Sequence, residues 1–165
     1  MTVRSAARER LVVYFDGASR GNPGPSSFGV HSPSGIAISE AIGLATNNVA
    51  EWRGFLAALD VARELGAEDV EIRADSQLVL NQFLGTYKMK APHLRGFLDE
   101  ARKKAKGIRR LRVVHVPRAQ NHEADALANR ALDDAARPTH VEPPTRPRPT
   151  GLRAAQSTLF DPEEP

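Results

Sequence analysis

Leu11-Val12-Val13-Tyr14-Phe15-Asp16-Gly17 is a run of five strand-favouring apolar side chains closed by a carboxylate. Branched and aromatic residues in that order predict a buried strand over 11–16. The chain then turns, because Gly17, Gly21, Asn22, Pro23, Gly24 and Pro25 supply the positive or fixed φ values that a turn needs. Turn chemistry leaves Asp16 unexplained. An acid at the end of a buried strand caps nothing, and burying a lone charge is costly.

Outward from this strand, residues 28–42 predict two more strands folded about Ser32-Pro33-Ser34-Gly35. From 51 to 65 the period changes: Trp52, Phe55, Leu56, Leu59, Ala62 and Leu65 recur at helical spacing, and Gly66 suits the C′ position. A short strand over 70–75, a helix over 76–84, a helix over 93–106 with a basic side, a fifth strand over 111–116 and a last helix over 121–132 complete the pattern. This order predicts an α/β fold in which a mixed five-stranded sheet is covered by helices, within a domain spanning 10–134. Residues 1–9 read as a flexible N-terminus. From 135 to 165 there are seven prolines and few large apolar side chains before Leu159 and Phe160, so disorder is expected.

With 165 residues and no cysteine, the chain can bury a core but can hold no disulfide or thiolate-ligated zinc. Any metal must bind oxygen or histidine. No apolar stretch approaches the ~20 residues of a membrane span, and the first ten residues lack an apolar signal region, so a cytoplasmic protein is expected. A formal charge of +3 mildly favours a polyanionic partner.

Asp16 and Asp75 both close apolar strands, Glu51 opens the long helix, and Asp125 lies one turn into the last helix. If the strands are parallel neighbours, the acids share one sheet edge, where they would repel unless a hard divalent cation relieved them. Each acid has a plainer alternative. Asn48-Val49-Ala50-Glu51 fits a capping box, Asp75 fits an N-cap, and Asp125 fits a solvated helix face.

The segments Asp16-Gly-Ala-Ser-Arg-Gly-Asn-Pro-Gly-Pro25, Thr46-Asn-Asn-Val-Ala-Glu51, Ala74-Asp-Ser-Gln77 and Asn121-His-Glu-Ala-Asp-Ala-Leu-Ala-Asn129 resemble, in order and spacing, the four signature segments of ribonuclease H type 1. The resemblance covers residues 11 to about 133. It implies strand order 3-2-1-4-5 and endonucleolytic hydrolysis of the RNA strand of RNA/DNA hybrids, leaving 5′-phosphate and 3′-hydroxyl ends. It also implies that Asp16, Glu51, Asp75 and Asp125 hold two Mg²⁺ ions, with Mn²⁺ as a substitute. In that scheme Asp16 bridges both ions, Asp125 completes the water-activating site, and Glu51 with Asp75 completes the leaving-group site.

By the same resemblance Asn22, Asn47 and Gln77 are expected in the minor groove of the hybrid, where 2′-hydroxyls distinguish RNA from DNA. Thr46 matches a DNA-phosphate contact. Gly17, Ser19, Arg20 and Asn48 join them as candidate substrate contacts. Two departures stand out. Where many bacterial members carry a mobile histidine, counting from Asp125 gives His115, whereas anchoring on Asn121 gives Arg118, the preferred reading; His122 reads as a surface residue. Residues 85–93 leave no room for a basic handle, so Lys88, Lys90 and the basic run over 101–110 become candidate substrate contacts. No added N-terminal hybrid-binding domain is expected.

In the tail, Gln156-Ser-Thr-Leu159-Phe160 resembles the peptide by which bacterial replication and repair proteins dock on the sliding clamp, with Gln156, Leu159 and Phe160 as anchors. The expected protein is a monomeric hybrid ribonuclease that removes RNA primers, R-loops or ribonucleotides. Another nuclease of the same fold, or a hybrid-binding module without catalysis, is the alternative.

Overall fold

The computed structural model describes residues 9–137. In chain order they form β1 (Leu11–Ser19), β2 (Gly24–Ser32), β3 (Ile36–Ala45), α1 (Asn47–Glu64), β4 (Asp69–Ala74), α2 (Gln77–Leu84), α3 (Pro92–Ala105), β5 (Arg110–His115) and α4 (His122–Ala136), with one 3₁₀ turn at Arg118–Gln120. The strands make one sheet in the order β3-β2-β1-β4-β5. β1 pairs antiparallel with β2, and β2 with β3, while the β1–β4 and β4–β5 pairs are parallel.

The expected fold class and strand order are those observed, but β1 runs three residues beyond Asp16. The reason lies in its two neighbours. The ladder with β4 ends at Tyr14↔Arg73, whereas the ladder with β2 continues to Ser19↔Ser26. Asp16 therefore closes only the β4 side of the strand. The helix expected from 51 begins at Asn47, because Thr46 caps it by accepting from Val49 N at 3.3 Å. α4 extends to Ala136, two residues past the expected domain boundary.

Side-chain alternation builds the two layers. Val13 and Phe15 of β1, Val70 and Ile72 of β4, and Val30 of β2 are fully buried against Trp52, Phe55 and Leu59 of α1. Phe15 and Phe55 lie 5.4 Å apart, and Trp52 donates its indole N–H to Gln82 Oε1 at 3.3 Å. Each such large side chain contributes roughly 1.5–3 kcal/mol by leaving water. Gly66 ends α1 as expected: its φ is +62°, and Ala67 N–H reaches Ala62 O at 3.0 Å in a Schellman closure.

On the opposite face α4 packs on β2, β3 and β1. Two glycines set how closely the helices approach. A Cβ on Gly17 would fall 2.5 Å from Ala50 C and 2.7 Å from Glu51 Cα of α1. On Gly29 it would collide with Ala124 O and come within 2.8 Å of Ala128 N in α4.

Candidate active site

Because cross-strand partners share a face, Asp16 points where its partner Gly29 points, toward α4. Continuing the β1–β4 register by two residues sets Asp16 beside Asp75, just past the end of β4. The backbone of α1 crosses Gly17, which brings Glu51 to the same edge. Asp125, one turn into α4, arrives from the other side. All four acids line one cavity of about 300 Å³, together with Gly17, Ser19, Asn47, Arg118 and Asn129.

Burial and like charge dominate this cavity. Asp16 is 6% exposed and its carboxyl is pushed up to about 9, chiefly by desolvation, then by Glu51, Asp75 and Asp125. Desolvation and Asp75 raise Glu51 to about 8, partly offset by the Gly17 backbone N–H. Glu51 Oε2 is buried without a hydrogen-bond partner. The plainer readings of these acids fail. Thr46, not Asn48, caps α1 and leaves Glu51 out of any capping box; Ser76, not Asp75, caps α2; and Asp125 is two-thirds buried.

Asn121 organises the gap between β1 and β4. Only 2% exposed, it donates Nδ2–H to Phe15 O at 2.8 Å and to Asp75 Oδ1 at 2.9 Å, standing in for the ladder bond that β4 no longer supplies. Its side chain makes no cap bond to α4, although an Asn before a helix ordinarily reads as a cap. Asn129, one turn after Asp125, donates to Asp125 Oδ1 at 3.2 Å. Sequence reading assigned neither residue a role; the available signal for Asn129 was its four-residue spacing from Asp125. Asn121→Ala is expected to cost about 2 kcal/mol, because it removes two buried bonds and leaves their acceptors unpaired. Urea denaturation checks it. A loss under about 0.5 kcal/mol would refute this bridging role.

The other candidates divide by position. Asn22 Oδ1 accepts from Asn47 N at 3.2 Å, so the β1–β2 turn and the start of α1 are tied together at the cavity rim. Ser19 bonds within that turn, to Gly21 O and to Ser26 Oγ. Arg20 pairs with Asp133 of α4. Asn48 and Gln77 are exposed in the first turns of α1 and α2, and Lys88 and Lys90 are exposed between α2 and α3; none of these four lines the cavity. Arg118 is 82% exposed with Nη2 4.0 Å from Asp125 Oδ1, whereas His115 is the last residue of β5 and His122 is an exposed first residue of α4. Gln156, Leu159 and Phe160 lie outside the described residues.

The donor set is all oxygen, with no thiolate and no histidine in the cavity. It suits hard divalent cations such as Mg²⁺ or Mn²⁺, and the partnerless Glu51 oxygen is available for one. Among the described residues no three acidic or histidine side chains form a ready-made ligand cage. Without a cation, stability is expected to fall as pH rises from about 5 to 9. Unfolded carboxyls ionise near pH 4, while folded Asp16 and Glu51 keep their protons to about 9 and 8. The folded state therefore binds more protons across that window, and the stability slope is negative. Thermal unfolding in EDTA at both ends of the window checks this; a midpoint that holds or rises would refute it.

A family profile described as "Reverse transcriptase-like" matches residues 15–131. The chain is 48% identical over 131 residues to Ribonuclease HI of Halobacterium salinarum, covering 76% of this chain and 66% of that protein. The crystal structure of RNase H1 from H. salinarum superposes with a TM-score of 0.71 at 46% identity, covering 76% of this chain and 99% of that one. The chain belongs to the ribonuclease H type 1 family. Within that family it is also 41% identical over 167 residues to the bifunctional protein Rv2228c of Mycobacterium tuberculosis, covering 92% of this chain and 46% of that protein. The N-terminal RNase H domain of Rv2228c, solved as a fusion with maltose-binding protein, superposes with a TM-score of 0.71 at 42% identity, covering 76% of this chain and all of that one. LC11-RNase H1, solved in complex with an RNA/DNA hybrid, gives 0.69 at 36% identity, covering 76% and 98%. The chain thus spans two thirds or less of the length of these curated relatives.

Proposed function

We propose that the chain is a divalent-metal-dependent endoribonuclease that hydrolyses the RNA strand of RNA/DNA hybrids, leaving 5′-phosphate and 3′-hydroxyl ends. The observation that carries this reading is the meeting of Asp16, Glu51, Asp75 and Asp125, from four separate elements, in one cavity that Asn47 also lines, with Asn22 bonded to its backbone N–H. A relative solved with a bound hybrid supports the substrate class.

Asp16, Glu51, Asp75 and Asp125 would hold two Mg²⁺ ions, or Mn²⁺ in their place. When bound, the ions supply Lewis-acid activation of water and stabilisation of the leaving oxygen. The chain's own residues prepare that chemistry. Asn121 fixes the Asp75 carboxylate, Asn129 fixes that of Asp125, and rigid β1 holds Asp16 between them. Asn22 and Asn47 present carboxamides suited to 2′-hydroxyls, and Gln77, Asn48 and Thr46 extend the contact across the first turns of α1 and α2. Arg118, exposed beside Asp125, is positioned to meet the phosphate of a departing product.

Incubation with matched RNA/DNA, RNA/RNA and DNA/DNA duplexes, with and without Mg²⁺ or Mn²⁺, tests the reading. Internal cleavage confined to the RNA strand of the hybrid, and only with metal, is expected. Cleavage of DNA/DNA, or hybrid binding with no turnover, would sink it. No helix among the described residues is long and apolar enough to cross a membrane. We infer, from the family resemblance, a cytoplasmic, monomeric enzyme acting on primers, R-loops or stray ribonucleotides. We further infer from sequence that Gln156, Leu159 and Phe160 anchor the chain to the sliding clamp; deletion of 156–160 should abolish clamp binding if so.

A further inference from the structure

The basic run over 101–110 splits in the structure. Lys104 is engaged with Asp60 and Glu100 on the helical side, whereas Arg110 leads into the outer face of β5. There the alternation that turns Leu111 and Val113 toward the core, partly buried, turns Arg110 and Arg112 outward, beside Asp69 and Glu71 of β4. The β1–β4 register adds Arg10 next to Asp69 and Tyr14 next to Arg73.

No described helix accounts for the burial of these rows. α4 packs on β1, β2 and β3, and the apolar faces of α1, α2 and α3 join the core on the other side. Glu71 is nonetheless only 5% exposed, because arginines cover it. Arg73 Nη2 lies 2.6 Å from Glu71 Oε2, and Arg112 and Arg10 lie 3.6 and 3.7 Å from Oε1. Arg73 also donates to Tyr14 Oη at 2.7 Å. The buried carboxylate thus holds three guanidinium groups in place, while the side chains of Arg10 and Arg112 remain 42% and 63% exposed. Alternating signs would keep an open sheet face in water equally well; here two acids face four arginines.

The position of this face gives the excess charge a use. Asp75 follows Arg73, and Asp16 follows Tyr14, at the next outward position of the same strands, roughly 7 Å further along. Arg73 therefore adjoins the row of catalytic acids, with Arg112 one outward position back, and Arg110 and Arg10 two, on the same face. We propose that the outer face of β4–β5 is a second nucleic-acid contact, on which Arg10, Arg73, Arg110 and Arg112 hold the phosphates of the hybrid duplex beyond the segment being cut. This rests on the hybrid as substrate.

The test is fluorescence anisotropy in EDTA, which prevents cleavage, with labelled hybrids of about 10 and about 30 base pairs over a range of salt. Each phosphate contact adds about 0.9 to the slope of log affinity against log salt. The Arg110→Gln/Arg112→Gln double variant is expected to lower that slope by about 2 for the long hybrid and to leave the short one unchanged. The Arg110→Lys/Arg112→Lys variant, which keeps both charges, should retain the parental slope. Unchanged slopes in the Gln variant would overturn the inference, as would a response confined to single-stranded flanks. Loss of poly-glutamate binding with hybrid binding intact would assign the face to an acidic protein and overturn it too. Binding is read apart from turnover: long-hybrid binding through these arginines without cleavage refutes the proposed activity alone, and normal cleavage with unchanged slopes refutes this contact alone.

Discussion

Asp16→Asn is expected to reduce hybrid hydrolysis at least about a thousandfold while raising the stability of the metal-free protein. The two effects have one cause. Asp16 is the least exposed of the four mutually repelling acids, and it stands on the central strand where the others reach it. Asparagine enters the cavity without the proton that buried Asp16 must hold well above its ordinary range, and it takes away the proposed central ligand of the cations. A loss of several kcal/mol of transition-state stabilisation corresponds to three or more decades in rate. The contrast with an ordinary core lesion is diagnostic, since a damaged fold would lose activity and melting temperature together. Steady-state cleavage, paired with thermal unfolding in EDTA near pH 8, reads both. Cleavage at the parental rate would remove Asp16 from the mechanism. A lowered metal-free melting point would show that Asp16 is a structural acid.

Gly29→Ala is expected to cost about 3 kcal/mol or more, a large effect for one methyl group. The new Cβ would overlap Ala124 O and lie 2.8 Å from both Ala128 N and Leu127 Cβ. Backbone atoms of a helix cannot rotate away, so α4 must rise off β2, taking the acid on its first turn with it. Urea denaturation measures the stability loss, and cleavage by the folded remainder measures the displacement of Asp125. The control is Gly96→Ala on α3, where nothing lies within 4 Å of the added atom. That change should stabilise by roughly 0.5–1 kcal/mol, because Gly gives up more freedom than Ala in a helix. If Gly29→Ala behaves like Gly96→Ala, the close approach of α4 is not a constraint.

These residues also mark how far the sequence could be read. Strand-favouring runs, the helical period of α1 and the Gly66 stop depend on near neighbours in the chain, so the sheet and the main helix were legible. The four acids were legible as a group, because an unexplained Asp16 directed attention to other acids at element ends. Their plainer explanations were not separable by spacing. Thr46 competes with Asn48, and Ser76 with Asp75, for the same capping role, and only the backbone trace decides between them. Asn121 stayed hidden for a different reason: its partners, Phe15 O and Asp75, lie far away in the chain. The demand for Gly29 is likewise set by α4, a helix distant in sequence. Of the outward arginines, Arg110 entered the sequence reading only as the end of a basic run and Arg73 and Arg112 not at all, because strand register aligns them.

The four acids come from β1, α1, the end of β4 and α4, which together span nearly the whole described chain. A partly synthesised or partly unfolded molecule would therefore lack the assembled cavity that the proposed cations need. Because α4 supplies Asp125 and comes last in chain order, its docking would complete the proposed cation site. Turnover should consequently track native tertiary structure instead of helix content, and a chain caught short of its final helix would be harmless to the RNA it meets.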